Sequence, residues 1–235
     1  PDPQAVAEAA AQRIVRAANG AIEEHGRFSI AVSRGSTPRL LHQILADQHR
    51  DQIDWSKVEI FFGDERCVPP DHAESNYRMA AETLLSKVSI PGDNVYRMHG
   101  EIEPNEAAKE YGLMLKEKFA DGGLDLVLLG MGEDGHTASL FPNTPAVDEA
   151  HHRVVANYVE KSTTGKSWRI TMTGPFINRA DQVIILVAGA SKAQVLSEVL
   201  EGACDPKRLP VQLINPVSGK LSWLIDAKAA AMDGP

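Results

Sequence analysis

The stretch Leu124-Asp125-Leu126-Val127-Leu128-Leu129-Gly130-Met131-Gly132-Glu133-Asp134-Gly135-His136-Thr137-Ala138-Ser139-Leu140-Phe141-Pro142 decides the fold. Its apolar run, Leu124 to Leu129, has the length and composition of a buried strand, and it stops at a turn holding Gly130, Gly132 and Gly135. The same order recurs on both sides. Phe28 to Val32 stops at Ser33, Arg34, Gly35, Ser36, Thr37 and Pro38, after which Leu40, Leu41, Ile44 and Leu45 return at helical spacing. Thr37 is the expected N-cap there and Pro38 the expected first helical residue. Val58 to Phe62 stops at Gly63, Asp64, Glu65 and Arg66, and Gln182 to Ala188 leads through Gly189 into the pattern Ala193, Leu196, Val199, Leu200. Helical spacing also marks Val6, Ala10, Ile14 and Ala18, ending before Gly26, and Ala108, Tyr111, Leu115 and Phe119. Val211 to Ile214 and Leu221 to Ile225 are expected to close the strand series before a short Ala-rich helix. Near-continuous apolar strands alternating with amphipathic helices predict an α/β fold with a mostly parallel sheet covered by helices on both faces. There is no internal repeat, and Lys161 to Ser167 reads as a surface loop, so one domain is expected over 1–235, with a small lobe around 142–167.

Composition narrows the function. At 235 residues, 43% hydrophobic and 24% charged, the chain can fill a core without disulfides or metals. Its 24 Lys and Arg against 32 Asp and Glu give a net charge of -8, which repels a nucleic-acid backbone over most of the surface. An anionic small molecule stays compatible if a few cations gather in one cleft. The longest apolar run, Val183 to Ala190, is far short of the roughly 20 residues of a membrane span. Cys67 and Cys204 have neither zinc nor redox spacing, and Pro1 to Gln4 carry neither a basic start nor an apolar signal core, so a cytoplasmic protein is expected.

In a parallel sheet of this kind ligands sit beyond the carboxyl ends of the strands, and four clusters map there. Gly35, Ser36 and Thr37 offer close backbone approach, hydroxyls and a helix N-terminus suited to an anion. Asp64 and Arg66 follow the second strand, with Ser75 and Asn76 further on. His136, with Asp134 two residues earlier in a glycine-rich turn, supplies an acid–base group. Lys192 adds an ammonium at another helix start. His151 and His152 are adjacent, where neighbouring side chains diverge, and no HExxH or CxxC pattern occurs, so no metal is expected.

The runs SRGSTP, GDERCVPPDHAESN, LGMGEDGHTASLFP, WRITMTGPFINRA and LINPVSGKLSWLID, in this order over 33–226, resemble the successive motifs of the 6-phosphogluconolactonase family. The chain departs from the pattern at Arg34, where that family usually has a second glycine. The resemblance implies hydrolysis of 6-phosphoglucono-1,5-lactone to 6-phosphogluconate, in the oxidative pentose phosphate pathway, on a Rossmann-like fold shared with glucosamine-6-phosphate deaminase and ribose-5-phosphate isomerase. It puts His136 at the catalytic position, Asp64, Arg66 and Asp134 at active-site positions, Ser36, Thr37 and Lys192 on the phosphate side, and Arg169 among substrate-binding residues. No cofactor is implied. The expected partner is a sugar-phosphate lactone, with no nucleic acid or membrane, and the expected assembly a monomer or small homo-oligomer.

Lactone chemistry agrees with these roles. The carbonyl is already electrophilic, so what remains is a base for water, donors for the oxyanion and an acid for the departing ring oxygen. His136 fits as base and then acid, with N–H groups near 132–135 as expected oxyanion donors. The alternatives are a glucosamine-6-phosphate deaminase or aldose-ketose isomerase and a sugar-phosphate-sensing domain. The deaminase motif continues with a Glu five residues after the His, where this chain has Phe141. The sensor reading expects a DNA-binding module, and only about 27 residues precede the first strand.

Overall fold

The computed structural model describes residues 2–160 and 167–231. Its central sheet holds β1 (Phe28–Val32), β2 (Val58–Phe62), β4 (Leu126–Gly130), β7 (Gln182–Val187) and β8 (Lys220–Ile225), all parallel, in the order β2-β1-β4-β7-β8. A second sheet is antiparallel and takes β3 (Asp64–Arg66), β5 (Val154–Tyr158) and β6 (Trp168–Met172) in the order β3-β6-β5. The helices are α1 (Pro3–His25), α2 (Ser36–Gln48), α3 (Asn76–Thr83), α4 (Pro104–Phe119), α5 (Gly174–Ile177), α6 (Ala193–Glu201) and α7 (Ala227–Ala230).

The pleat sorts the central strands into two cores. Ile30, Leu126, Leu128 and Ile184 face one side, packed with Ile14 of α1, Leu41 of α2 and Ala80 of α3. Their neighbours Ala31, Val127, Leu129, Val183 and Ile185 face the other, with Leu115 of α4, Leu196 of α6 and Ile170 of the second sheet. Strands buried on both faces explain the unbroken apolar runs.

Three local expectations need correction. Val211 to Ile214 is not a strand: Pro210–Leu213 forms a 3-10 turn whose Val211 is fully buried, because a short segment with three apolar residues fits a buried turn as well as a strand. Helix α2 starts one residue before the expected cap, with Gly35 rather than Thr37 in the N-cap position and no side-chain cap bond. The antiparallel sheet was not foreseen, since β3 is three charged residues held by pairing to β6 and carries no apolar signal. Six residues of the expected surface loop, 161–166, lie outside the described residues, as does that part of the lobe expected around 142–167. Among the described residues no helix is long and apolar enough to cross a membrane.

Candidate active site

The chain leaves β1 toward β2 on one side, while β4 continues the sheet toward β7 and β8 on the other. The loops after β1 and β4 therefore diverge and open a crevice between them. A cavity of about 270 Å³ lies there, lined by Ser33 to Pro38, Gly130 to Gly132, His136 and Ala138, with Asp64, Arg66, Asn76 and Lys192 completing the wall. Seven residues selected from sequence meet in it: Gly35, Ser36, Thr37, Asp64, Arg66, His136 and Lys192. Roomier clefts of about 790 and 700 Å³ open beside α4, away from the strand ends, and contain none of the selected residues.

The loop after β4 is built around His136. Thr137 Oγ1 donates to Gly130 O at 2.8 Å, and Gly132 N–H donates to His136 O at 2.8 Å, closing the loop on itself. Asp134 Oδ1 then accepts from His136 N at 3.1 Å and lies 2.6 Å from Nδ1 of the ring. A Cβ on residue 132 would stand 2.0 Å from that Nδ1, so only glycine allows the pair to form. Phe141 stacks on the imidazole, centroids 4.2 Å apart and planes 22° from parallel, which fixes the ring's plane. Burial pushes the Asp134 carboxyl up, the hydrogen bond and charge of His136 pull it down, and the net shift is downward. An ionised carboxylate can only accept, so Nδ1 carries the hydrogen and Nε2 is left as the basic nitrogen. The expected oxyanion donors are partly consumed: Gly132 N–H serves His136 O and Gly135 N–H serves Gly132 O.

Asp64 is held by both oxygens. Oδ1 accepts from Asn76 Nδ2 at 3.0 Å, and Oδ2 from Ser139 Oγ at 2.6 Å. Its neighbour Glu65, 2% exposed, accepts from Asn76 N, Tyr77 N, Arg66 N and Ser75 Oγ within 3.0 Å, sealing the start of α3. These carboxylates bolt β3, α3 and the His136 loop together. Arg169 does not line the cavity; it is 5% exposed and pairs across the strands with Arg66. Burial and the Arg66 charge lower its pKa, and Asp64 opposes them.

On the opposite wall, α2 begins behind Gly35, whose φ of +144 and ψ of 175 are accessible in practice only to glycine. Helices α1, α3 and α4 have side-chain caps from Asp2, Ser75 and Glu103, whereas the N-termini of α2 and α6, both at the cavity, have none. Lys192 stands at the start of α6, 3.9 Å from Glu133 Oε1. Burial lowers its pKa, partly offset by Glu133 and Asp134. Buried Asp226 holds the preceding turn by accepting from Gly189 N with both oxygens, at 3.0 and 3.1 Å.

Sequence reasoning did not select Asn76, Ser139, Phe141 or Asp226 for these positions. All four stand inside the motif-bearing runs; Ser139 and Asp226 have partners elsewhere in the chain, 75 and 37 residues away, while Asn76 and Phe141 meet Asp64 and His136 of their own runs. Ser33 Oγ and Asn76 Oδ1, on cavity-lining residues, are buried without a hydrogen-bond partner. Such atoms are placed to meet a ligand's hydroxyls.

Known proteins match this chain over nearly its whole length. The profile of the family described as glucosamine-6-phosphate isomerases/6-phosphogluconolactonase matches residues 1–223. A 6-phosphogluconolactonase of Nostoc sp. is 40% identical over 237 residues, covering 98% of this chain and 95% of that one. The structure of 6-phosphogluconolactonase from Trypanosoma brucei superposes with a TM-score of 0.86 at 30% identity, covering 98% of this chain and 95% of that one. A monomeric glucosamine-6-phosphate deaminase shares the fold, with a TM-score of 0.82 at 18% identity over 98% of this chain and 96% of its own. With a profile match over nearly its whole length, close relatives in sequence, and the motif loops gathered around one cavity, the chain belongs to the glucosamine-6-phosphate isomerase/6-phosphogluconolactonase family.

Proposed function

We propose that this protein hydrolyses 6-phospho-D-glucono-1,5-lactone to 6-phospho-D-gluconate. The observation that carries the reading is that one cavity joins two chemistries: the imidazole of a His136–Asp134 pair, and a cationic lining made by uncapped helix starts with Arg66 and Lys192. A phosphate carries about −1.5 to −2 charge at neutral pH and suits the cationic lining. The lactone carbonyl is then presented to His136.

In this mechanism Nε2 of His136 takes a proton from water as the water attacks the lactone carbonyl. Asp134 holds the tautomer that leaves Nε2 basic and stabilises the imidazolium formed. The ring oxygen leaves as the tetrahedral intermediate collapses, and the imidazolium returns the proton to it. Asp64, with both oxygens already engaged, acts by bracing the loop rather than as the base. Asn76 Oδ1 accepts from a sugar hydroxyl, and Ser33 Oγ accepts from or donates to another. Gly35, Ser36 and Thr37 present backbone N–H groups and hydroxyls to the phosphate, and Arg169, opposite Arg66 on the adjacent strand, adds positive charge behind the cavity wall. The deaminase alternative lacks its acidic relay, since Phe141 occupies that position and is stacked on the imidazole. A reducing compartment suits the free thiols of Cys67 and Cys204.

The deciding experiment measures lactone hydrolysis corrected for the spontaneous reaction, beside glucosamine 6-phosphate as a control. Catalysed hydrolysis of the lactone alone supports the reading. Ammonia release from glucosamine 6-phosphate would replace it with the deaminase activity.

A further inference from the structure

Arg34 is the residue at which this chain departs from its family's glycine pattern, and its surroundings give it a use. The backbone accommodates it easily, because the positive φ of the loop falls on Gly35 and not on residue 34. The side chain lines the cavity with Arg66, and both guanidiniums converge on Glu74. Arg34 Nη1 is 3.5 Å from Glu74 Oε2, and Arg66 Nη1 is 3.7 Å from the same oxygen. Each arginine is also anchored by a backbone carbonyl: Arg34 Nη2 donates to Ala73 O at 3.4 Å, and Arg66 Nη1 to Glu74 O at 2.8 Å.

The arrangement is electrostatically paired but poor in hydrogen bonds. Glu74 Oε2 is buried and accepts no hydrogen bond from either guanidinium, and Arg66 Nε is buried with no acceptor. Two cations side by side need an anion between them. Burial and the neighbouring Arg66 charge depress the Arg34 pKa, while Glu74 and Glu65 work against that. A single carboxylate balances one of the two positive charges. A phosphate brings nearly twice the charge and three acceptor oxygens to the same place.

We propose that Arg34 is a second guanidinium of the phosphate subsite, and that Glu74 is an internal stand-in for the phosphate, holding Arg34 and Arg66 together until the ligand displaces its claim on them. This rests on the functional reading above and adds a specificity determinant to it. It also reverses the usual expectation for a half-buried ion pair. Removing Arg34 weakens phosphate binding, whereas removing the Glu74 charge strengthens it, because the carboxylate competes with and repels the ligand.

The test is calorimetric titration of inorganic phosphate into wild type, Arg34→Gly, Arg34→Lys and Glu74→Gln, with lactone kinetics on the same proteins. Arg34→Gly should weaken phosphate binding and raise KM roughly 10-fold, the loss of one charge-assisted contact, with kcat within about twofold of wild type. Arg34→Lys should recover part of the loss, and Glu74→Gln should bind phosphate several-fold more tightly, on the order of 3- to 10-fold, by removing one repelling charge. Wild-type phosphate affinity in Arg34→Gly overturns the proposal, as does weakened binding in a folded Glu74→Gln. Should Glu74→Gln not fold, the Arg34→Gly and Arg34→Lys titrations still decide. A wild-type protein that shows these phosphate affinities but no lactone hydrolysis overturns the functional reading and leaves the Arg34 assignment standing.

Discussion

Helices α2 and α3 both start near the same cavity, and their N-termini are treated in opposite ways. At α3, Ser75 Oγ accepts from Arg78 N, while Glu65 takes the N–H groups of Asn76 and Tyr77, so the helix start is sealed by a buried carboxylate. At α2 the cap position is Gly35, and no side chain accepts from the first turn. A helix start carries roughly half a positive charge and several unpaired donors, and an internal carboxylate is one way to satisfy them. Glu65 thus illustrates what the open start of α2 is suited to receive. The sealed end ties α3 into the fold, and under the proposed function the open end receives the phosphate.

The contrast breaks if damage at the open wall unfolds the protein or damage at the sealed wall stops only catalysis. The largest effect is expected at the cavity's chemical wall. His136→Asn should lower turnover by roughly 10²- to 10⁴-fold, while the melting temperature and phosphate affinity stay near wild type. Steady-state rates and phosphate titration check it, and retained turnover would move the base to a carboxylate.

The second prediction concerns the joint between the two helices. His42 of α2 is fully buried, with Nδ1 3.0 Å from Thr83 Oγ1 of α3. Burial, with Arg39 adding to it, lowers its pKa from 6.5 to about 4. Below the upper value the unfolded chain takes up a proton that the folded one refuses. Stability from this group is therefore complete above about pH 6.5 and drains as pH falls toward 4, by on the order of 3 kcal/mol. Urea midpoints at pH 7 and 4.5 should show the loss in wild type, and His42→Gln should flatten the part of the slope that His42 supplies. An equal slope in both proteins would remove His42 as its cause.

Third, Arg66→Ala or Lys192→Ala should raise KM roughly 10- to 100-fold, worth about 1.5–3 kcal/mol per lost charge-assisted contact, with unfolding little changed. Unphosphorylated gluconolactone, a poor substrate for wild type, should respond little to either change. The smallest effect belongs to the sealed side. Ser75→Ala removes the α3 cap and should cost about 1 kcal/mol of stability in a denaturant titration, with KM shifted less than about twofold. A large change in KM and none in stability would invert the comparison.

Much of this was legible in the chain. Strands β1, β2, β4 and β7 announced themselves as largely apolar runs because both of their faces are buried, whereas the edge strand β8 is only partly buried. The glycine turns after β1 and β4 identified the ligand end, and His136 stood out as the titratable group inside one of them. The antiparallel sheet did not: β3 is a strand because Asp64, Glu65 and Arg66 pair with Thr171, Ile170 and Arg169, a long-range event with no local signature. Of the site residues, Arg169 falls outside the cavity wall and Asp64 is bound on both oxygens, which no spacing rule could have revealed.

By itself the sequence determined the alternation of strands and helices, the loops bearing chemistry and the family. Those follow from periodicity, glycine placement and motif order, properties of residues close together in the chain. Tertiary structure alone decided that the loops after β1 and β4 face each other, that α2 starts unsealed while α3 starts sealed, and that Arg34 and Arg66 share Glu74. Ion pairing and hydrogen-bond satisfaction fall off over a few ångströms of space. They are settled only when distant segments are brought side by side.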